Sequence, residues 1–342
     1  MGQLGHRLDR QALPRDFDND GYDDLAMTGP SEWSTLPVAF SRGDGTFGIS
    51  NAPIGGGWAI WAADPKAKIA VGDVNNDKRA DLIMTGPDNW FGVVKVALSK
   101  GDGTFNVVDY SVPGDWYLWA GDPAARIAAG DVNADGLTDL MLTGPTHWTT
   151  LPVAFATTNY SFTVTNQPVS STWRNWVADP SAEVGSGDFN GDGKADLTQM
   201  GSDALGHGVH HLLSRGDGTF TTQNLGGYVN QSSKPALIGN YHRNQNLSER
   251  DDFLLLRSDA ISAMGQNDLD TKGYFIRNFF SYPASGFAGW AALPGVKAVG
   301  GDFNGDGASD VAVTGGAGWF SVPVAFLHLS DNTFTVTNHP IP

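Results

Sequence analysis

Short apolar runs alternate with clusters of Gly, Asp, Asn and Thr along the whole 342-residue chain. A representative stretch reads Lys68-Ile69-Ala70-Val71-Gly72-Asp73, then an acidic segment, then Asp81-Leu82-Ile83-Met84-Thr85-Gly86-Pro87. A third run follows, seen as Leu36-Pro37-Val38-Ala39-Phe40 and Leu151-Pro152-Val153-Ala154-Phe155. Next come a Gly-Asp-Gly-Thr-Phe segment (residues 43–47, 101–105 and 216–220) and a fourth run such as Phe162-Thr163-Val164-Thr165. Short runs rich in Val, Ile, Phe and Thr and bounded by Gly, Asp and Pro are strands. Asp-Gly between two of them signals a hairpin. The pattern predicts four antiparallel strands per unit and no helix, since no ten-residue window carries a helical period.

The unit repeats. The motif D-x-[DN]-x-D-x-x-x-D begins at Asp16, Asp73, Asp131, Asp188 and Asp302, at intervals of 57, 58, 57 and 114 residues. The last interval is two periods. A degenerate unit fills it, with Gly239-Asn240-Tyr241-His242 and Asp252-Phe253-Leu254-Leu255 in the expected places. Six cassettes, starting near 1, 58, 116, 173, 225 and 287, account for residues 1–342 as one domain. Four strands six times over predicts an all-β fold, a β-propeller of six blades.

Composition narrows the partners. With 21 Lys+Arg against 37 Asp+Glu the formal charge is −16, and no basic cluster offers itself to nucleic acid. There is no Cys, hence no disulfide and no thiolate-ligated metal. No run reaches the ~20 apolar residues of a transmembrane helix. The segment Met1-Gly2-Gln3-Leu4-Gly5-His6-Arg7 lacks the apolar core of a signal peptide.

The acidic segments have the spacing of a cation loop. Oxygen side chains at positions 1, 3, 5 and 9 wrap a hard ion, position 7 adds a carbonyl, and Gly at 6 allows the sharp turn. The sets are Asp16, Asp18, Asp20, Tyr22 and Asp24; Asp73, Asn75, Asp77, Arg79 and Asp81; Asp131, Asn133, Asp135, Leu137 and Asp139; Asp188, Asn190, Asp192, Lys194 and Asp196; and Asp302, Asn304, Asp306, Ala308 and Asp310. Only the second loop replaces the Gly, with Lys78, and is expected to be the weakest. Together the loops hold sixteen carboxylates, which repel one another without a cation. About five structural Ca²⁺ ions are therefore expected, in preference to Mg²⁺, which retains its waters. The competing reading is five solvated Asp/Asn turns.

The loops, followed by Thr28-Gly29-Pro30, Thr85-Gly86-Pro87 and Thr143-Gly144-Pro145, resemble the FG-GAP/VCBS repeat. That resemblance implies a propeller of the kind found in fungal and bacterial lectins and, more distantly, in integrin α subunits. It implies a secreted or extracellular-facing setting, the alternative, with no signal peptide in view, being a cytoplasmic protein released by a non-classical route. The chain departs from the integrin pattern in having six cassettes rather than seven.

All 11 Trp residues fall in three repeat-locked columns. One lies 15 residues before the later acidic loops (Trp58, Trp116, Trp173, with Phe287 equivalent), another 12 before (Trp61, Trp119, Trp176, Trp290), and a third after Thr-Gly-Pro, or after Thr-Gly-Gly in the last cassette (Trp33, Trp90, Trp148, Trp319). Packing between blades is expected of the 12-before column. Sugar stacking is expected of the third column and, in competition with packing, of the 15-before column. Asp64, Asp122 and Asp179, each followed by Pro, are either sugar-hydroxyl acceptors or turn formers. The leading expectation is a non-enzymatic, multivalent lectin with about four sites, binding glycans or glycoproteins. The alternatives are an integrin-like adhesion module and, last, a glycan-active enzyme, for which no pair of carboxylates with separate acid and nucleophile roles stands out. His207, His210 and His211 look like a metal cluster, but strand alternation sends 210 and 211 to opposite faces.

Overall fold

The computed structural model describes residues 11–29, 33–87, 90–177, 182–200, 209–225, 236–241, 250–256, 260–266, 276–283, 286–316 and 318–341. These form an all-β, propeller-like fold. The first cassette is the meander β1 (Gln11–Arg15), β2 (Asp24–Thr28), β3 (Thr35–Ser41), β4 (Phe47–Pro53). The second is β5 (Lys68–Gly72), β6 (Asp81–Thr85), β7 (Val93–Ser99), β8 (Phe105–Ser111). The third is β9 (Arg126–Gly130), β10 (Asp139–Thr143), β11 (Thr150–Thr157), β12 (Ser161–Pro168). The fourth is β13 (Glu183–Gly187), β14 (Asp196–Met200), β15 (Val209–Ser214), β16 (Phe220–Leu225). The fifth is β17 (Ala236–Gly239), β18 (Asp252–Leu256), β19 (Ala260–Gln266), β20 (Ile276–Pro283). The sixth is β21 (Lys297–Gly301), β22 (Asp310–Thr314), β23 (Ser321–His328), β24 (Thr333–Pro340). Each meander is a separate four-stranded sheet, except that the second and third join through one parallel bridge between Ser111 and Ser161.

Burial follows strand rank. β6, β10, β14 and β22 are buried at every residue, because each lies inside its sheet with neighbouring sheets on both faces. The outermost strands alternate or are largely open, as in β8 and β24. The first strands β1, β5, β9, β13, β17 and β21 touch in cyclic order, β21 returning to β1. A cavity of about 410 Å³ opens where they meet, lined by Gly130, Gly187, Gly239 and Gly301 at the strand ends and by Arg15, Asp23 and Asp251.

The acidic loops tie the cycle together. The carbonyl of each position-1 residue accepts the position-8 N–H of the next cassette: Ala80 to Asp16, Thr138 to Asp73, Ala195 to Asp131, Asp251 to Asp188, Ser309 to Asn240 and Asp23 to Asp302, all at 2.7–2.8 Å. The degenerate fifth cassette keeps its place in the series through Asn240. Side chains reinforce the joints: the hydroxyls of Ser41, Ser99 and Ser214 donate to the carbonyls of Phe303, Phe17 and Val132 in the preceding cassette.

Among the described residues four short helices depart from the expectation of none: α1 (Trp58–Ala62), α2 (Trp116–Ala120), α3 (Ser171–Val177) and α4 (Phe287–Ala291). They are too short to show a periodic window. Their one signature is an aromatic pair three residues apart, which a single helical turn places on one face. No described helix is long and apolar enough to cross a membrane.

Candidate functional sites

Strand direction sorts the motifs onto two faces. The acidic loops close the hairpin between first and second strands, and the Gly-Asp-Gly-Thr turns close that between third and fourth. Both therefore lie at one end of the meanders. The Thr-Gly-Pro-Trp loops and the helical connections lie at the other.

At the loop end, the position-1 carboxylate organises the turn. Asp16 accepts the N–H groups of Asp18, Asn19, Asp20 and Gly21, and Asp188 those of Asn190, Gly191, Asp192 and Gly193. The position-9 carboxylate is buried in every loop, and both its oxygens accept backbone N–H groups. Asp24 bonds Phe17 and Ser41, Asp81 bonds Val74 and Ser99, and Asp139 bonds Val132 and Ala156. Asp196 and Asp310 repeat this with Phe189 and Ser214, and with Phe303 and Leu327. The residue thus fastens the loop to the third strand. Burial pushes these carboxyls up, Asp24, Asp139 and Asp310 to about 8 and Asp81 and Asp196 to about 7.

The donor set for a cation is best assembled in loop one, where oxygens of Asp16, Asp18 and Asp24 lie within 4.8 Å of one another. Burial, then the charges of Asp20 and Asp16, raise the Asp18 carboxyl to about 6. Such a cluster of crowded carboxylates fits a hard cation. Loops two and four supply a cation of their own: the Arg79 guanidinium bonds Asp77, and the Lys194 ammonium lies 3.1 Å from Asp192. In loops two, three and six the position-3 Asn amide donates to the position-5 carboxylate, from Asn75, Asn133 and Asn304 to Asp77, Asp135 and Asp306.

At the opposite end the three Trp columns separate. Trp58, Trp116 and Trp173 are at most 2% exposed, which corrects the sugar-stacking expectation for this column: their faces belong to the core. The indole N–H of Trp116 donates to Thr85 at 3.1 Å and that of Trp173 to Thr143 at 3.3 Å. Each thus stitches a helix to the Thr-Gly-Pro of the preceding cassette. The Gly of that motif has its own reason: a Cβ on Gly86 or Gly144 would collide with the carbonyl of Lys66 or Ala124 in the adjoining connection.

The 12-before and third columns meet instead of playing separate parts. Trp61 stands edge-on to Trp90 at 5.4 Å between ring centres, and Trp290 to Trp319 at 6.5 Å. Trp119 and Trp148 pack on the same core cluster. Trp33, Trp148 and Trp319 are partly exposed, and Trp33 lines a small cleft against Ala59 and Ala62 of α1. In the fourth cassette Trp176 stacks on His210, while His211 stacks on Phe189 on the other side of the strand, so the histidines form no cluster.

Asp64 and Asp122 do form turns, each accepting an N–H two residues on, from Lys66 and Ala124. The second oxygen of Asp122 lies 3.6 Å from His147 Nε2, beside Trp148. Asp179 and His207 lie outside the described residues. Sequence reasoning missed Lys95 and Asp109, which sit beside Trp61 and Trp90, and the exposed Phe91 and Phe320 that follow the third-column Trp. The available signal was that Lys95 breaks a column of proline, Pro37, Pro152 and Pro323.

Comparison with known proteins agrees with the repeat and the fold. A model of the FG-GAP-like repeat matches residues 16–84 and 73–142. No curated protein matches in sequence. Among solved structures, an Agrocybe aegerita lectin, described for its specific recognition of non-reducing terminal N-acetylglucosamine, superposes with a TM-score of 0.64 at 17% identity, over 97% of this chain and 80% of that one. AofleA from Arthrobotrys oligospora gives 0.53 at 9% identity over 98% and 87%. The SapL1 lectin, solved in complex with α-methyl fucoside, gives 0.52 at 12% identity over 98% and 97%. At these identities the likeness is one of fold. The chain carries FG-GAP-like repeats, and its structural neighbours include lectins.

Proposed function

We propose, from FG-GAP-like repeats on a fold shared with propeller lectins, that this chain is a multivalent carbohydrate-binding protein working outside the cell on glycans or glycoproteins. Six four-stranded blades close one ring. Ca²⁺ in the acidic loops holds the blades at one end, and sugar binds at the other, on the third-column indoles. The observation that carries this reading is the repetition of a partly exposed third-column Trp at that end, at Trp33, Trp148 and Trp319, with a second indole edge-on to it at Trp290 in the sixth cassette. A pyranose presents a C–H face to such a ring and hydroxyls to polar groups around it. Asn166 Oδ1, at the register position opposite Pro152 in the Trp148 cassette, is buried without a hydrogen-bond partner and is an acceptor of that kind. The repeated sites are individually shallow, and several on one rigid ring gain avidity on a glycan-coated surface. Repetition also favours binding over catalysis, since a reaction needs one unique set of acid and base groups.

In the loops, the side chains of positions 1, 3, 5 and 9 and the carbonyl of position 7 would hold the ion, which would neutralise the carboxylates there. The separation of the two ends makes its role structural. A glycan array that includes terminal N-acetylglucosamine and fucose tests the function. Binding is expected to fall at least tenfold when Trp33, Trp148 and Trp319 are all changed to Ala. Retained binding in that variant, or none in the native protein, would refute the assignment.

A further inference from the structure

At the Trp end of its third strand the second cassette differs from the first, third and sixth. Where the third strand reads Leu36-Pro37-Val38, Leu151-Pro152-Val153 and Val322-Pro323-Val324, β7 reads Val94-Lys95-Val96. The cross-strand partners of the three prolines are Asn51, Asn166 and Asn338, whereas Lys95 faces Asp109. Two positions in register have therefore changed together, from Pro and Asn to Lys and Asp. The pair is made: Lys95 Nζ lies 2.6 Å from Asp109 Oδ1. The same ammonium sits 4.8 Å above the Trp61 ring and 5.7 Å from that of Trp90, within cation–π range of both.

We propose that Lys95 is an internal occupant of the second cassette's aromatic site, and that this site is closed to neutral sugars. The inference rests on the lectin reading for its meaning, but the closure itself does not. A cation over an indole and a sugar C–H face on that indole compete for the same electron-rich surface. Lys95 is held there on both sides, by the rings and by Asp109, and its side chain is only 13% exposed. Trp90 is 6% exposed, while its three column-mates remain partly open. Cassettes one, three and six carry a proline there, whose short ring has no charge to compete with a ligand. The expected number of sugar sites is then three, against the four that a count of third-column Trp residues gives.

Closure is measured without any sugar, by hydroxyl-radical footprinting of the full chain read by mass spectrometry. Trp90 is expected to oxidise several-fold more slowly than Trp148 and Trp319, and to rise toward them in Lys95→Ala, with Trp148 and Trp319 unchanged. Equal reactivity in the native chain, or no rise in the variant, overturns the proposal. Lys95→Pro/Asp109→Asn, which installs the residues of the other cassettes, serves as a second variant where the first unfolds. Calorimetric titration with N-acetylglucosamine and with methyl α-fucoside then reads the consequence: three sites in the native chain and four in the double variant. Four in the native chain, with the fourth lost in Trp90→Ala, sinks the closure. Neither sugar binding, with the footprint as expected, sinks the lectin reading and leaves the closure standing.

Discussion

At position 6 of each acidic loop the backbone enters the left-handed region, at φ 90° for Gly21, 87° for Gly136, 80° for Gly193 and 83° for Gly307. Lys78 holds that conformation at φ 66° with a Cβ, and Ala134 holds another at position 4, at φ 61°. A side chain there costs about 1 kcal/mol, partly offset by the entropy that glycine loses on folding. Lys78→Gly is expected to raise the denaturation midpoint by the equivalent of up to about 1 kcal/mol, read in urea titrations. His211 acts in the opposite sense. It is fully buried between Phe189 and Phe253, neither ring nitrogen has a hydrogen-bond partner, and burial lowers its pKa to about 3. The unfolded chain takes up the proton near 6.5 and the folded chain does not. Its contribution is therefore whole above pH 6.5 and declines as the pH falls toward 3. The loss at pH 5 comes to about 2 kcal/mol. His211→Phe should remove that much of the acid sensitivity between pH 7.5 and 5, and an unchanged pH slope would contradict the account.

At the scale of the hairpin, the position-9 Asp fastens its loop to the third strand whether or not an ion is bound. Asp139 joins the N–H of Val132 in its own loop to the N–H of Ala156 on β11, so it sets where the third strand docks. Replacing it with Ala strands two buried donors, each worth ~1–3 kcal/mol. Asp139→Ala should lose roughly 2–5 kcal/mol in chemical denaturation, and Asp139→Asn, which keeps one accepting oxygen, clearly less. Equal losses would mean that the accepted hydrogen bonds do not carry the effect. The Trp helices obey the same economy of means. One face of a single turn holds both aromatic rings, the first buried in the core and the second turned toward the third-column Trp in the second and sixth cassettes and toward His210 in the fourth.

Across the whole molecule, the position-1 carbonyl links each acidic loop to the next, and the link from Asp23 to Asp302 joins the sixth cassette to the first. An ion that fixes the loop therefore also fixes the joint between cassettes. Chelation is expected to lower the melting temperature by several degrees, and added Ca²⁺ to restore it. A melting temperature indifferent to chelator would exclude structural cations. Loop one, with three carboxylates together, should fill at the lowest Ca²⁺ concentration, and loops two and four last, since Arg79 and Lys194 already bond their position-5 Asp.

Sequence alone determined the strands, the hairpins, the period and the acidic loops, because each is a local pattern: apolar alternation, Asp-Gly turns, and oxygen donors spaced within nine residues. It identified Trp33, Trp148 and Trp319 as loop residues for the same reason. It expected the packing of the 12-before column but not the full burial of the 15-before column, since Trp116 and Trp119 have the same composition around them and differ only in which neighbour they face. Nor could it show Lys95 lying over Trp61 and Trp90, residues 34 and 5 positions away along the chain. Burial and pairing are set by contacts between segments distant in sequence. Only the closed arrangement of the cassettes decides which aromatic face becomes core, which is covered by a lysine, and which is left open for a ligand.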